Sequence, residues 1–120
     1  MTLLLFVAVA LAGGVGAGLR YAVDVGVTRM LGAAFPWGIL VVNVTGSFVL
    51  GVLTGLTPPG ELAWVVGVGL LGGYTTFSAV AVTTVLLAEE ARPARAALYA
   101  LGTLLASVAA AGVGLWLGSL

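Results

Sequence analysis

The chain has 120 residues, 62% of them hydrophobic and only 7% charged, with four arginines balancing four carboxylates. A soluble domain carries about 25% charged residues, so this composition excludes a water-soluble globule. The lack of cysteine and histidine excludes disulfides, thiolate or imidazole metal sites and His-based acid–base chemistry, and zero net charge without lysine excludes the electrostatic footprint of nucleic-acid binding.

The charges Arg20, Asp24, Arg29, Glu61, Glu89, Glu90, Arg92 and Arg95 leave uncharged stretches at 1–19, 30–60, 62–88 and 96–120. A bilayer core of roughly 30 Å takes about 20 apolar residues of helix, so each stretch is close to one crossing. Connections fall at 24–36, 57–61 and 89–93, where prolines and charges favour turns at the membrane surface. The expectation is an all-α integral membrane protein, one domain over 1–120. Its four transmembrane helices are placed near 3–22, 36–56, 62–88 and 95–118, multi-pass in the cell membrane and surrounded by lipid. No stretch alternates apolar and polar residues as a barrel strand does.

In the first segment Ala8-Val9-Ala10 resembles a signal-cleavage tripeptide, but no Lys or Arg precedes the apolar run and the run continues to Leu19. It reads as a helix. Arg20 ends it and can snorkel to the interface. Gly14/Gly18, Gly51/Gly55 and Gly114/Gly118 have the small-xxx-small spacing that lets membrane helices approach closely, inside the bundle or between subunits.

In the second segment Asn43 lies in Val-Val-Asn-Val-Thr-Gly-Ser-Phe, with Ser47 one turn on along the same face. A primary amide in hydrocarbon needs a partner, so it faces protein or water. An interhelical bond that only holds the bundle and a pathway role both fit.

The third segment carries Gly72-Gly73-Tyr74-Thr75-Thr76-Phe77-Ser78 near its middle. Paired glycines followed by β-branched residues weaken a helix, and a break near the bilayer midplane frees carbonyls that protein, an ion or water must satisfy. Carbonyl oxygens suit a small hard cation, while the N-terminus of the following half-helix suits an anion. An unbroken, closely packed helix is the alternative.

The fourth segment sets Tyr99, Thr103 and Ser107 at i, i+4 and i+8, a hydroxyl stripe that reads as a hydrated track or as a polar seam between helices. No carboxylate lies within the four expected spans, which speaks against proton-coupled antiport. Hydroxyls, amides and aromatic edges suit passive conduction of a small anion by weak multi-site binding, without a catalytic group.

Together these segments resemble the Fluc (CrcB) fluoride channels. Gly13-Gly14-Val15-Gly16-Ala17-Gly18-Leu19-Arg20-Tyr21 is similar to the first-helix signature, and Asn43-Val44-Thr45-Gly46-Ser47-Phe48-Val49-Leu50-Gly51 to the second-helix motif. Gly72 to Ser78 resembles the third-helix break, and Tyr99, Thr103 and Ser107 the fourth-helix polar stripe. The resemblance spans the whole chain. It implies passive fluoride efflux that lowers cytoplasmic fluoride, through an antiparallel dimer with two pathways along its interface. By the same resemblance, carbonyls of Gly72 and Thr75 hold a structural Na⁺ shared with the partner. Phe77 turns its ring edge to fluoride and Asn43 donates its amide. Ser78, Tyr99, Thr103 and Ser107 assist, and Arg20 acts near the aqueous vestibule.

Two positions depart from that pattern: Val80 stands where a second Phe is usual, and Thr83 where many members have Glu. Arg20, Arg29, Arg92 and Arg95 all fall on the side of the first and third connections, and the positive-inside rule places that side in the cytoplasm. Such a bias fits one half of a heterodimer with an oppositely oriented homologue, where a homodimer inserting both ways would have balanced arginines. A small multidrug-type transporter also has four helices, but it needs a first-helix carboxylate, and Asp24 lies beyond Arg20.

Overall fold

The computed structural model describes residues 2–56 and 60–120. Among these, four helical spans are long and apolar enough to cross a membrane: Leu3–Leu31, Trp37–Leu56, Ala63–Glu89 and Pro93–Gly118. Large apolar side chains cover the outer surface, for example Leu4, Leu11, Leu105 and Trp116, whereas the interior holds few, including Val42, Leu71 and Tyr99. This inside-out distribution is what lipid as solvent permits.

Helix α1, Leu3–Leu31, starts at Thr2, whose hydroxyl accepts from the Leu5 N–H at 3.1 Å. The charge pattern placed its end near residue 22, yet it continues to Leu31. Charges mark where hydrocarbon ends, not where a helix ends. Asp24 accepts from the Thr28 hydroxyl at 3.5 Å, and termination comes only at Gly32, with φ of 82°. Asp24, expected in a surface connection, is therefore a half-buried helical residue whose carboxylate lies against Gly38 in the first turn of α2, Trp37–Leu56. Part of the second connection, Thr57 to Pro59, lies outside the described residues.

The third span changes winding twice. Ala63–Leu71 is a π-helix, Gly72–Tyr74 forms a single α-helical turn (α3), and Thr75 leaves the helix with extended backbone, φ −78° and ψ 159°. The chain resumes as α4, Ser78–Glu89. Helix α5, Pro93–Gly118, has its proline at the first position, where no N–H is missed.

Helix α1 packs on the π-helix and α3, while α2 and α4 both pack on α5. Bare backbone makes the α2–α5 contact. A side chain on Gly51 would strike the Ala111 carbonyl and one on Gly114 the Phe48 carbonyl, so the Gly51/Gly55 and Gly114/Gly118 motifs serve the α2–α5 seam inside the chain. Gly14 and Gly18 face open space.

Candidate functional site

Three elements position the site. α2 presents Asn43, the interruption between α3 and α4 presents backbone, and α5 presents hydroxyls. Asn43 is 7% exposed and grips the interruption twice. Its Nδ2 donates to the Thr76 carbonyl at 2.8 Å, and its Oδ1 accepts the Thr76 N–H at 2.8 Å. A side-chain amide thus stands in for a missing turn of backbone hydrogen bonds, satisfying polar groups that hydrocarbon could not.

That grip redirects donors. In a continuous helix the Thr76 N–H would serve the Gly72 carbonyl and the Ala79 N–H the Thr75 carbonyl. Here the first goes to Asn43, and the second goes to the Thr76 hydroxyl at 3.1 Å, one residue before the N-cap position of α4. Gly72 and Thr75 therefore keep carbonyl oxygens whose usual donors are engaged elsewhere, on a stretch that is exposed at Gly72 and half-buried at Thr75. The donor set is all carbonyl oxygen, which fits a small hard cation.

A groove of about 560 Å³ runs between α2, the third span and α5. It gathers Asn43, Ser47, Gly72, Thr75, Phe77, Thr103 and Ser107 along one wall system, and none of its lining residues is charged. Phe77 is 85% exposed, its ring standing clear of its own bundle. Ser78 is also exposed but does not line the groove. Arg20, half-buried on α1, lies outside it as well. Val80 lines the groove and packs against the core cluster around Tyr99.

The stripe on α5 differs from other helical hydroxyls. Thr45, Thr54, Thr75 and Thr84 each donate to the carbonyl four residues back, at 2.7 to 2.9 Å. This is the ordinary way to satisfy a hydroxyl in an apolar helix. The oxygens of Tyr99, Thr103 and Ser107 are shielded from solvent and have no hydrogen-bond partner. Each such group costs about 1–3 kcal/mol unless something binds it. Three in a row on one face make a stripe of unspent O–H donors, suited to a small anion that must exchange its water for other donors. Phe35 is the residue that sequence reasoning passed over: its ring meets Tyr99 edge-on, at 5.8 Å and 84°. Only its place before Pro36, in a connection, was visible in the sequence.

Comparison with known proteins bears directly on this arrangement. Residues 7–115 match the family described as CrcB-like protein, Camphor Resistance (CrcB). "Fluoride-specific ion channel FluC 1" of Leifsonia xyli subsp. xyli is 43% identical over 125 residues, covering 100% of this chain and 90% of that one. "Fluoride-specific ion channel FluC" of Rhodospirillum centenum is 45% identical over 109 residues, 87% and 86% of the two chains. "Fluoride-specific ion channel FluC 2" of Mycobacterium tuberculosis is 38% identical over 120 residues, 100% and 95%.

Proposed function

Because this chain belongs to the CrcB-like family, we propose that it is a fluoride-specific ion channel subunit through which fluoride leaves the cytoplasm passively. The observation that carries this is the match to fluoride-channel relatives over the full length of the chain. The groove supports it chemically. Hydroxyl and amide dipoles can replace part of an anion's hydration, and the lack of a fixed charge lets the ion depart again. Fluoride enters cells as neutral HF, which ionises in the less acidic cytoplasm, so an open path for the anion lowers its toxicity without an energy source. Fluoride efflux from liposomes containing the purified protein tests the reading; liposomes that hold the folded protein yet retain fluoride would refute it.

The partner is a second subunit in antiparallel orientation. Supporting this, the ring of Phe77 has no cover from its own chain and the groove lies open beside it. The structural cation is Na⁺, held by the Gly72 and Thr75 carbonyls and the same pair from the partner. It supplies positive charge that ties the two interruptions together and is not itself transported. Asn43 has a double duty in this reading. It frees the Gly72 carbonyl by taking the Thr76 N–H, and its Nδ2 reaches fluoride only by sharing or leaving the Thr76 carbonyl.

One observation favours a heterodimer. Arg29, Arg92 and Arg95 lie at the ends joined by the first and third connections, while Arg20 sits nearer the middle of α1, and three arginines on one side bias insertion to one orientation. A separately encoded homologue of opposite bias then supplies the other half, including the aromatic ring that Val80 does not provide.

A further inference from the structure

The hydroxyl stripe leaves the groove at its Tyr99 end: Thr103 and Ser107 line the groove, whereas Tyr99 lies beyond it and, with Thr103 and Phe35, lines a smaller cavity of about 180 Å³. Tyr99 is 1% exposed, yet its hydroxyl completes no hydrogen bond, not even with the neighbouring Thr83 hydroxyl. Toward the first and third connections it is covered by Leu87 and Ala96, with Phe35 packed on its ring. A path continued from the groove past Thr103 to Tyr99 would enter this smaller cavity, one wall of which is Phe35. Of the three covering residues, Leu87 and Ala96 are anchored within α4 and α5. Phe35 alone hangs on a short connection.

That connection is built to hold one side chain in place. It leaves α1 through Gly32 in the left-handed region, a conformation other residues adopt only with strain. It re-enters helix directly after Pro36, which confines Phe35 to extended backbone. Between these two points, Nη1 of Arg95 donates to the Ala34 carbonyl at 2.9 Å, tying the connection to the first turn of α5. The Phe35 ring is wedged between Trp37, at a centroid distance of 4.7 Å, and Tyr99. A backbone tether and two ring contacts therefore fix Phe35 above an unpartnered hydroxyl.

We propose that Phe35, held by Arg95, is the constriction that sets conduction at the Tyr99 end of the hydroxyl track. This rests on the reading that the track carries fluoride. The ring's positive edge can face an anion while its bulk limits what passes, so Phe35 governs both rate and the exclusion of larger halides.

The experiment compares wild type, Phe35→Ala, Phe35→Trp and Arg95→Ala as the assembled channel in liposomes, with fluoride and chloride efflux measured alongside thermal unfolding in detergent. Loss of one aromatic contact shifts a closed–open balance by up to about tenfold. The expected result is that Phe35→Ala speeds fluoride efflux by about that factor and admits chloride, while Phe35→Trp slows it. Arg95→Ala should speed it by less. A residue that only fills the core would lower the unfolding temperature in Phe35→Ala without opposite effects of Ala and Trp on rate. Equal fluoride and chloride rates in all four proteins would overturn the proposal. If Phe35→Ala fails to fold, Arg95→Ala decides, because it removes only an exposed side chain and one hydrogen bond. Wild-type efflux separates the two possible failures: when it is present, equal rates remove Phe35 alone, and when it is absent the track and its constriction fall together.

Discussion

Asn43 and Thr76 hold one another through two hydrogen bonds of 2.8 Å, carbonyl to amide and amide to carbonyl, across 33 residues of sequence. The pair replaces, sideways, the hydrogen bonds that the helix gives up on either side of Thr75.

Asn43→Asp is accordingly expected to abolish fluoride efflux at neutral pH. Aspartate keeps the acceptor for the Thr76 N–H but loses the donor to the Thr76 carbonyl, leaving a buried group unpaired at a cost of about 1–3 kcal/mol. An ionised carboxylate also repels the anion, and protonation relieves both faults, so efflux should recover as pH falls. Efflux assays in liposomes across acidic and neutral pH check this. Wild-type rates at neutral pH would remove Asn43 from the pathway.

Thermal stability of the assembled channel is expected to depend on Na⁺ and not on larger cations. A ligand that binds only the assembled state stabilises it by mass action, and the freed Gly72 and Thr75 carbonyls are its proposed seat. Unfolding in detergent is compared in Na⁺ and N-methylglucamine at equal ionic strength. Identical transitions over a wide sodium range would count against the site.

Replacing Thr103 by Val and Ser107 by Ala together should leave the unfolding temperature unchanged or raise it, since neither hydroxyl has a partner to lose. Fluoride efflux should nevertheless fall about tenfold, the equivalent of ~1.4 kcal/mol of lost ion binding. A drop in stability with unchanged efflux would make the stripe a structural seam.

Orientation is testable with Glu61→Cys, placed beside the second connection. One-sided labelling of the chain expressed alone, without fluoride efflux, fits a heterodimer that lacks its other half. Labelling of about half the molecules from outside, accompanied by efflux, would establish a homodimer despite the arginine bias.

Membrane class and span number were legible in the sequence because lipid acts on composition. Eight charges in 120 residues leave no other solvent for the chain, and the remaining polar groups stand out against Ala, Leu and Val. The end of α1 was not legible, since Asp24 signals a change of solvent while the helix itself stops at Gly32. Nor could spacing alone separate a packing glycine from a docking one. Gly51 and Gly114 are filled by backbone of the same chain, whereas Gly14 and Gly18 face outward.

The partner of Asn43 and the packing of Phe35 on Tyr99 were decided only by tertiary structure. An amide in α2 has many donors and acceptors within sequence reach, and which one it takes depends on where the third span is brought against it. The same holds for Phe35, an ordinary residue before a proline until packing lays its ring on Tyr99. Hydrogen bonds and ring contacts act over a few ångströms, so sequence can name the groups that need partners but folding alone chooses the partners.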